Sequence, residues 1–210
     1  IMSKCAVEYK IETPRPGWAE QDPNEWWTAV AKTLKEAVGD ANLDSKDIMA
    51  IGVTGQQPSP VFVGEDGEVL GNSLIWMDRR TSDQCRQIEE VLGVERVYEI
   101  TGQRVDPIST ASKILWVRDY LPEGFRRVHK VLQPKDFVIF RLTGEIGSDY
   151  ASSAATQLLN LRMRTWSSEI IEALDIPEKI LPTLHDSTAI IGRLRKTVAD
   201  MTGLSEGTPV

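Results

Sequence analysis

The chain has 210 residues, of which 41% are hydrophobic and 26% charged, as in a folded globular protein of one large domain or one and a half. Its 31 acidic and 24 basic side chains give a net charge of −7, so nucleic acid, which requires a basic face, is not expected as the main partner. No apolar run approaches the roughly 20 residues that span a membrane. The N-terminus has no signal-peptide core, so we expect a cytoplasmic protein without membrane contact.

Cysteine and histidine are too few and too scattered to indicate a metal centre. Cys5 and Cys85 lie far apart, without a CxxC motif or a nearby histidine, so neither a disulfide framework nor a zinc site is predicted. His129 and His185 are also isolated, and a lone histidine is more often a surface or core residue than a catalyst. Metalloenzymes and histidine-dependent hydrolases are therefore disfavoured.

The first part of the chain predicts a strand followed by a long helix. Residues 5–13 alternate between apolar and polar side chains, as a half-buried strand does. Asp22 can cap a helix, and Pro23 suits its first position. The apolar spacing continues to Val38, and Gly39 is expected to end the helix.

The segments after this helix predict short strands and then a mainly helical region. Residues 48–54 form an apolar run of strand length, residues 60–69 predict a hairpin around an Asp-Gly turn, and residues 73–77 predict another strand. The predicted helices span residues 82–92, 94–100, 109–121, 134–142 and 167–174, and residues 193–196 are interpreted as a solvated turn. This order indicates an α/β layered domain.

Two polar clusters follow predicted strands, where loops of α/β sheets usually carry function. The amides of Gln56 and Gln57 could bind a polyhydroxyl ligand, although a polar turn before the hairpin would have the same sequence. Trp76, Asp78 and Arg80 combine an aromatic face with charged groups, which suits a sugar. A core tryptophan followed by a solvated helix start is an equal alternative.

A third cluster contains Asp149 and Tyr150 among small residues. The small neighbours leave room for a substrate at the carboxylate, but an aspartate that only caps a helix fits equally well. Neither a GxGxxG dinucleotide motif nor a GxxxxGK[ST] phosphate loop is present in the chain.

In collinear order, six segments resemble the FGGY family of carbohydrate kinases, and most of all its xylulokinase-like branch. They are GWAEQDPNEWW, IGVTGQQ, LIWMDRRT, TASKILWV, LQPKDFVIFRLTG and SDYASSAAT, and the resemblance covers residues 1–210. It implies a ribonuclease-H-like, actin-like ATPase fold with a mixed sheet and flanking helices. It also implies that the chain is the N-terminal, sugar-side domain, without the opening phosphate-loop hairpin and the C-terminal ATP-binding domain.

The same resemblance implies ATP-dependent phosphorylation of a sugar, polyol or sugar-acid hydroxyl. ATP and Mg²⁺ would be bound mostly by segments outside this chain. The chain alone would therefore be inactive. Asp149 matches the family's catalytic aspartate and would act as the general base. The residues that match the substrate pocket are Gln56, Gln57, Trp76, Asp78, Arg80 and Tyr150. Lys113 and Trp116 match the family's K-x-x-W helix and are interpreted as structural.

The substrate loop departs from the family pattern. Gln57 and Pro58 stand where xylulokinases usually have Met-His, and the Arg-Glu pair of glycerol kinases is missing too, so D-xylulose does not follow as the substrate. A non-catalytic sugar-binding or regulatory module of the same fold is the main alternative. An actin-like or chaperone-like ATPase is disfavoured by the W-x-D-x-R and S-D-Y motifs. The sequence leaves a homodimer open.

Overall fold

Helices account for most of the regular structure in the computed structural model, which describes residues 1–210. The helices are α1 (Pro23–Ala41), α2 (Ser82–Leu92), α3 (Val94–Thr101), α4 (Thr110–Tyr120), α5 (Pro122–Phe125), α6 (Pro134–Thr143), α7 (Tyr150–Ala154), α8 (Ser168–Ala173) and α9 (Lys196–Thr202). The strands are β1 (Glu20–Gln21), β2 (Val61–Val63), β3 (Ser73–Leu74), β4 (Lys130–Leu132), β5 (Gly147–Asp149), β6 (Leu159–Asn160), β7 (Thr165–Trp166) and β8 (Thr183–His185). Length and polarity together exclude each of these helices as a membrane-spanning segment.

Side-chain caps explain where several helices begin. Asp22 accepts a hydrogen bond from the backbone N–H of Asn24 at 2.8 Å, and Pro23 occupies the first position of α1, as predicted. Ser109 and Ser167 cap α4 and α8 in the same way, so each of these helices begins one residue after its predicted start. The sequence signals for helix starts are therefore confirmed at these three helices.

The predictions for two other regions are wrong. Gly39 does not end α1, which continues until Asn42 adopts a left-handed conformation with φ 50°. Packing of α1 on α6 and α9 offsets the internal glycine, which costs a helix only about 1 kcal/mol. Residues 193–196 are not a solvated turn, because Leu194 is buried and α9 begins at Lys196.

The strands pair two by two rather than in one continuous sheet. The pair β5–β8 is parallel, whereas β1–β3, β2–β4 and β6–β7 are antiparallel. The predicted hairpin forms around β2, where Val63 bridges to Val69 and the N–H of Gly64 donates to the carbonyl of Glu68 at 2.9 Å. Parallel and antiparallel pairing thus both occur, but in separate two-stranded pairs and not in the one mixed sheet that was expected.

Two predicted strands do not form. Residues 5–13 contain only an isolated bridge of Glu12 with Glu20. Residues 48–54 have the composition of a strand, but a ladder needs a neighbouring strand. Their one backbone bond outside the preceding turn joins the N–H of Ile51 to the carbonyl of Pro209 at 2.9 Å.

The largest hydrophobic core cluster, of 19 buried residues, surrounds α4. Residues 110–117 of this helix are all buried, including the charged Lys113. A second cluster lies where α6 packs near α1 and α9, and a third joins β2 and β4 to Phe137 of α6. Packing therefore fixes helices α4 and α6. The loops that carry candidate functional residues are attached to the N-terminal ends of these two helices.

Candidate functional site

Asp149 ends the parallel strand β5 and caps the helix α7 that follows it. The register of β5 with β8 sets Asp149 opposite His185. Its carboxylate accepts hydrogen bonds from the backbone N–H of Ser152 at 2.9 Å and from the hydroxyl of Ser187 at 2.5 Å. The aspartate is thus a helix cap, and it also stands at the carboxyl end of a parallel strand, where α/β proteins bind ligands.

Lys135, in the first turn of α6, places its own ammonium group against this carboxylate. Its Nζ lies 3.1 Å from Oδ1 of Asp149 and 3.0 Å from Oδ1 of Asp136. Burial acts to raise the pKa of Asp149, but hydrogen bonds from Ser187, Ser152 and Lys135 outweigh it and lower the pKa to about 2. The Asp149 side chain is therefore ionised at neutral pH.

A cleft of about 430 Å³ lies beside Asp149. Its walls are formed by residues 50–55, residues 186–191 and residues 209–210, and Lys135 also lines it. The lining mixes small polar side chains, backbone and aliphatic groups, so the cleft is large enough and polar enough for a small hydroxylated molecule.

Gln57 is the one predicted substrate-binding residue that lines this cleft. Its side chain is exposed, and its peptide bond to Pro58 is cis. The adjacent Gln56 is bonded within the chain, where its amide nitrogen donates to the Oε1 of Gln21 at 2.7 Å. The two neighbouring glutamines therefore have different surroundings, since Gln57 is exposed in the cleft and Gln56 is half-buried beside Gln21.

Asp78 and Arg80 lie outside the cleft in a buried ion pair. The carboxylate of Asp78 accepts from the backbone N–H of Ala19 at 2.7 Å and from the guanidinium of Arg80 at 2.6 Å. Arg80 also pairs with Glu20 at 2.6 Å, and its guanidinium carbon lies 3.6 Å from the ring centroid of Trp18. All of these polar groups find partners within the chain.

Trp76 and Tyr150 also lie outside the cleft. Trp76 is 46% exposed, and its backbone N–H donates to the hydroxyl of Ser59 at 3.1 Å. The ring of Tyr150 contacts the guanidinium of Arg164, whose carbon lies 4.0 Å from the ring centroid, and Arg164 pairs with Asp186. Trp76 is thus the aromatic surface still open to a ligand.

Lys135 and Ser187 were not among the residues predicted from the sequence. A lysine in the first turn of a helix lies at the positive end of the helix dipole, which is unfavourable unless a carboxylate is close. That unfavourable position was a usable signal for Lys135. Ser187 follows β8, a strand too short to predict, and it meets Asp149 across 38 residues, so no local pattern indicated it.

No group of three or more histidine, cysteine, aspartate or glutamate side chains in residues 1–210 is placed to hold a metal ion. Asp136 and Asp149 both pair with Lys135. The ammonium group of this lysine therefore occupies the position beside the two carboxylates that a metal ion would need. The residues present therefore do not fit a divalent-cation centre on their own.

The comparisons with known proteins agree on one family. A model of the "FGGY family of carbohydrate kinases, N-terminal domain" matches residues 1–210. The chain is 35% identical over 210 residues to the xylulose kinase of Bacillus subtilis, covering 100% of this chain and 42% of that protein. It is 35% identical over 193 residues to the glycerol kinase of Thermococcus kodakarensis, covering 90% of this chain and 39% of that protein.

The same likeness extends to solved structures. The gluconate kinase from Lactobacillus acidophilus matches with a TM-score of 0.90 and 27% identity, covering 97% of this chain and 41% of that one. The α/β, actin-like fold implied by the sequence is thereby confirmed. The chain spans about two fifths of the length of these relatives. It belongs to the FGGY family of carbohydrate kinases.

Proposed function

We propose that the protein containing this chain transfers a phosphoryl group from ATP to a hydroxyl of a sugar, polyol or sugar acid, with Asp149 as the general base. The observation that carries the proposal is an ionised aspartate at the end of a parallel strand, open to a cleft, in a chain of this family. Family membership implies ATP and a divalent metal as reaction partners. We assign no residue of this chain to either.

In the proposed reaction, the hydroxyl oxygen of the acceptor attacks the γ-phosphorus of ATP while the bond to ADP breaks. The hydroxyl proton passes to the carboxylate of Asp149. A pKa of about 2 makes this carboxylate a weak base, so it would orient the hydroxyl first and take the proton late, once the oxygen–phosphorus bond makes that proton acidic. Phosphoryl transfer depends mainly on such positioning and on charge stabilisation.

On the acceptor side, we assign direct contact to Gln57 and Trp76, because these side chains are exposed. An amide can bond to hydroxyls, and an indole can cover the apolar face of a sugar. For Asp78 and Arg80 we propose an indirect role in acceptor binding. Their buried ion pair fixes the backbone segment that carries Trp76. Gln56 and Tyr150 would act at the border of the pocket.

The proposal is tested by measuring ADP release by the full-length protein with xylulose, glycerol and gluconate, the acceptors that the names of its relatives suggest. Turnover with one of them supports the kinase. Acceptor binding without ADP release would favour a non-catalytic module, which the match to proteins named as kinases disfavours.

Asp149→Asn tests the base directly. Asparagine keeps the helix cap but cannot take the proton, so turnover should fall by about 100-fold or more while acceptor binding is retained. Asp22→Asn is the matched control, because Asp22 also caps a helix but lies outside the cleft. Near-normal turnover by Asp149→Asn would contradict the assignment.

A further inference from the structure

Four buried polar side chains form a cluster between the loop of Gln56 and Gln57 and the N-terminal ends of α4 and α6. The members of this buried polar cluster are Ser59, Thr110, Lys113 and Gln133, and each is at most 3% exposed. Gln133 donates from its amide to the hydroxyl of Thr110 at 3.0 Å and accepts from the backbone N–H of Ser59 at 3.2 Å. The cluster thus attaches the loop to both helices.

Lys113 is the ionisable member of this cluster, and it is fully buried, which lowers the pKa of its amino group to about 7. Its Nζ donates to the carbonyl of Ile75 at 2.9 Å and to the carbonyl of Pro58 at 3.2 Å. Burying an ammonium group without a full set of partners is costly, and an apolar side chain would fill the same space at lower cost. Core packing alone therefore does not account for a lysine here.

The two carbonyls belong to the two segments that carry the exposed acceptor-side residues. Pro58 directly follows Gln57, and Ile75 directly precedes Trp76. A second bond joins the same segments, from the N–H of Trp76 to the hydroxyl of Ser59. The ammonium therefore sits between the two backbones and fixes their separation.

We propose that Lys113 is a positioning residue for acceptor recognition, which sets the distance between Gln57 and Trp76 by binding the backbone beside each of them. This inference rests on the proposed function. Lys113 contacts no residue of the cleft through its ammonium group, so it acts through the two segments and not on the acceptor itself.

The test compares Lys113→Met with Lys130→Met in the full-length protein. Lys130 also donates to two backbone carbonyls, those of Lys179 at 2.7 Å and Leu181 at 3.0 Å, but it lies outside the cleft. In Lys113→Met the KM for the acceptor should rise about tenfold, the scale of a lost charged hydrogen bond. The KM for ATP, and kcat at saturating acceptor, should stay within about twofold of wild type. Lys130→Met should change none of these constants.

Ser59→Ala is a second test of the same inference. It removes the hydrogen bond from the N–H of Trp76 to the Ser59 hydroxyl with little change in side-chain volume. It should also raise the acceptor KM selectively, and it serves if Lys113→Met does not fold. The acceptor is whichever of xylulose, glycerol or gluconate supports turnover. Unchanged acceptor KM in the variants that fold would overturn this inference and leave the kinase standing. If wild-type protein turned over none of the three, the proposed function would fall and this inference with it.

Discussion

The ion pair of Lys135 with Asp149 places a cation beside the proposed base. A kinase must bring the negative charges of a phosphoryl group close to an ionised carboxylate, and the two repel each other. The ammonium of Lys135 offsets this repulsion and accounts in part for the low pKa of Asp149. Together with the hydrogen bonds from Ser187 and Ser152, which lower the pKa of Asp149 more strongly, this lysine favours the ionised carboxylate.

Replacing Lys135 by methionine should shift the acid limb of the pH profile of kcat/KM to higher pH. Loss of the cation raises the pKa of Asp149 above its present value of about 2, and the base works only when ionised, so activity should be lost earlier as the pH falls. Lys135→Arg keeps the charge and should restore the wild-type limb. If the limb did not move in Lys135→Met, Lys135 would have no part in the ionisation of the base.

Arg80 and Arg79 are neighbours in the sequence, but their substitution should have unequal effects. Arg80→Leu leaves the buried carboxylate of Asp78 without its cation, which should lower the free energy of unfolding by about 3 kcal/mol or more. Arg79 pairs with Asp106 at the exposed surface, so Arg79→Leu should cost less than about 1 kcal/mol. Denaturant titration of the two variants measures the difference, and equal losses would contradict the buried role of Arg80.

At the scale of elements, the helices were predicted more completely than the strands, of which the hairpin at β2 and the start of β3 were found. The bounds of α2 match the prediction, because the apolar spacing of a helix is a local signal. The pair β5–β8 carries the proposed base, yet its strands read only Gly-Ser-Asp and Thr-Leu-His. Their pairing depends on segments more than 30 residues apart, which no local pattern contains. Asp149 was singled out by its small neighbours in the sequence, and its role as the general base came from the family resemblance.

A substitution at Gly39 tests whether helix α1 continues past this residue. It lies inside the helix, and a Cβ there would meet nothing within 4 Å, so Gly39→Ala should raise the free energy of unfolding by about 0.5–1 kcal/mol. Gly144→Ala is the matched opposite, because Gly144 ends α6 with φ 88° and alanine is strained there. Chemical denaturation should therefore separate the two substitutions by sign, and two changes of equal sign would contradict the helix bounds.

In the whole molecule, α4 and α6 link the proposed acceptor-side residues to the proposed base. Their N-terminal ends meet in the buried polar cluster, and α6 then presents Lys135 to Asp149. This arrangement explains what the sequence could and could not predict. The polar clusters of the sequence contain Gln57 and Asp149, and the resemblance assigns their roles. The buried pair of Asp78 and Arg80 also bonds to Ala19 and Glu20, which lie about 60 residues earlier in the chain. Only the folded structure reveals these contacts.

The bonds of Lys113 end on main-chain carbonyls, and this bears on how such a site can evolve. Every amino acid has a carbonyl, so substitutions in the loop leave the anchor intact and change only what the loop presents. A scaffold held in this way can acquire a new acceptor by single substitutions, and it lies in a family whose members are named for xylulose, glycerol and gluconate.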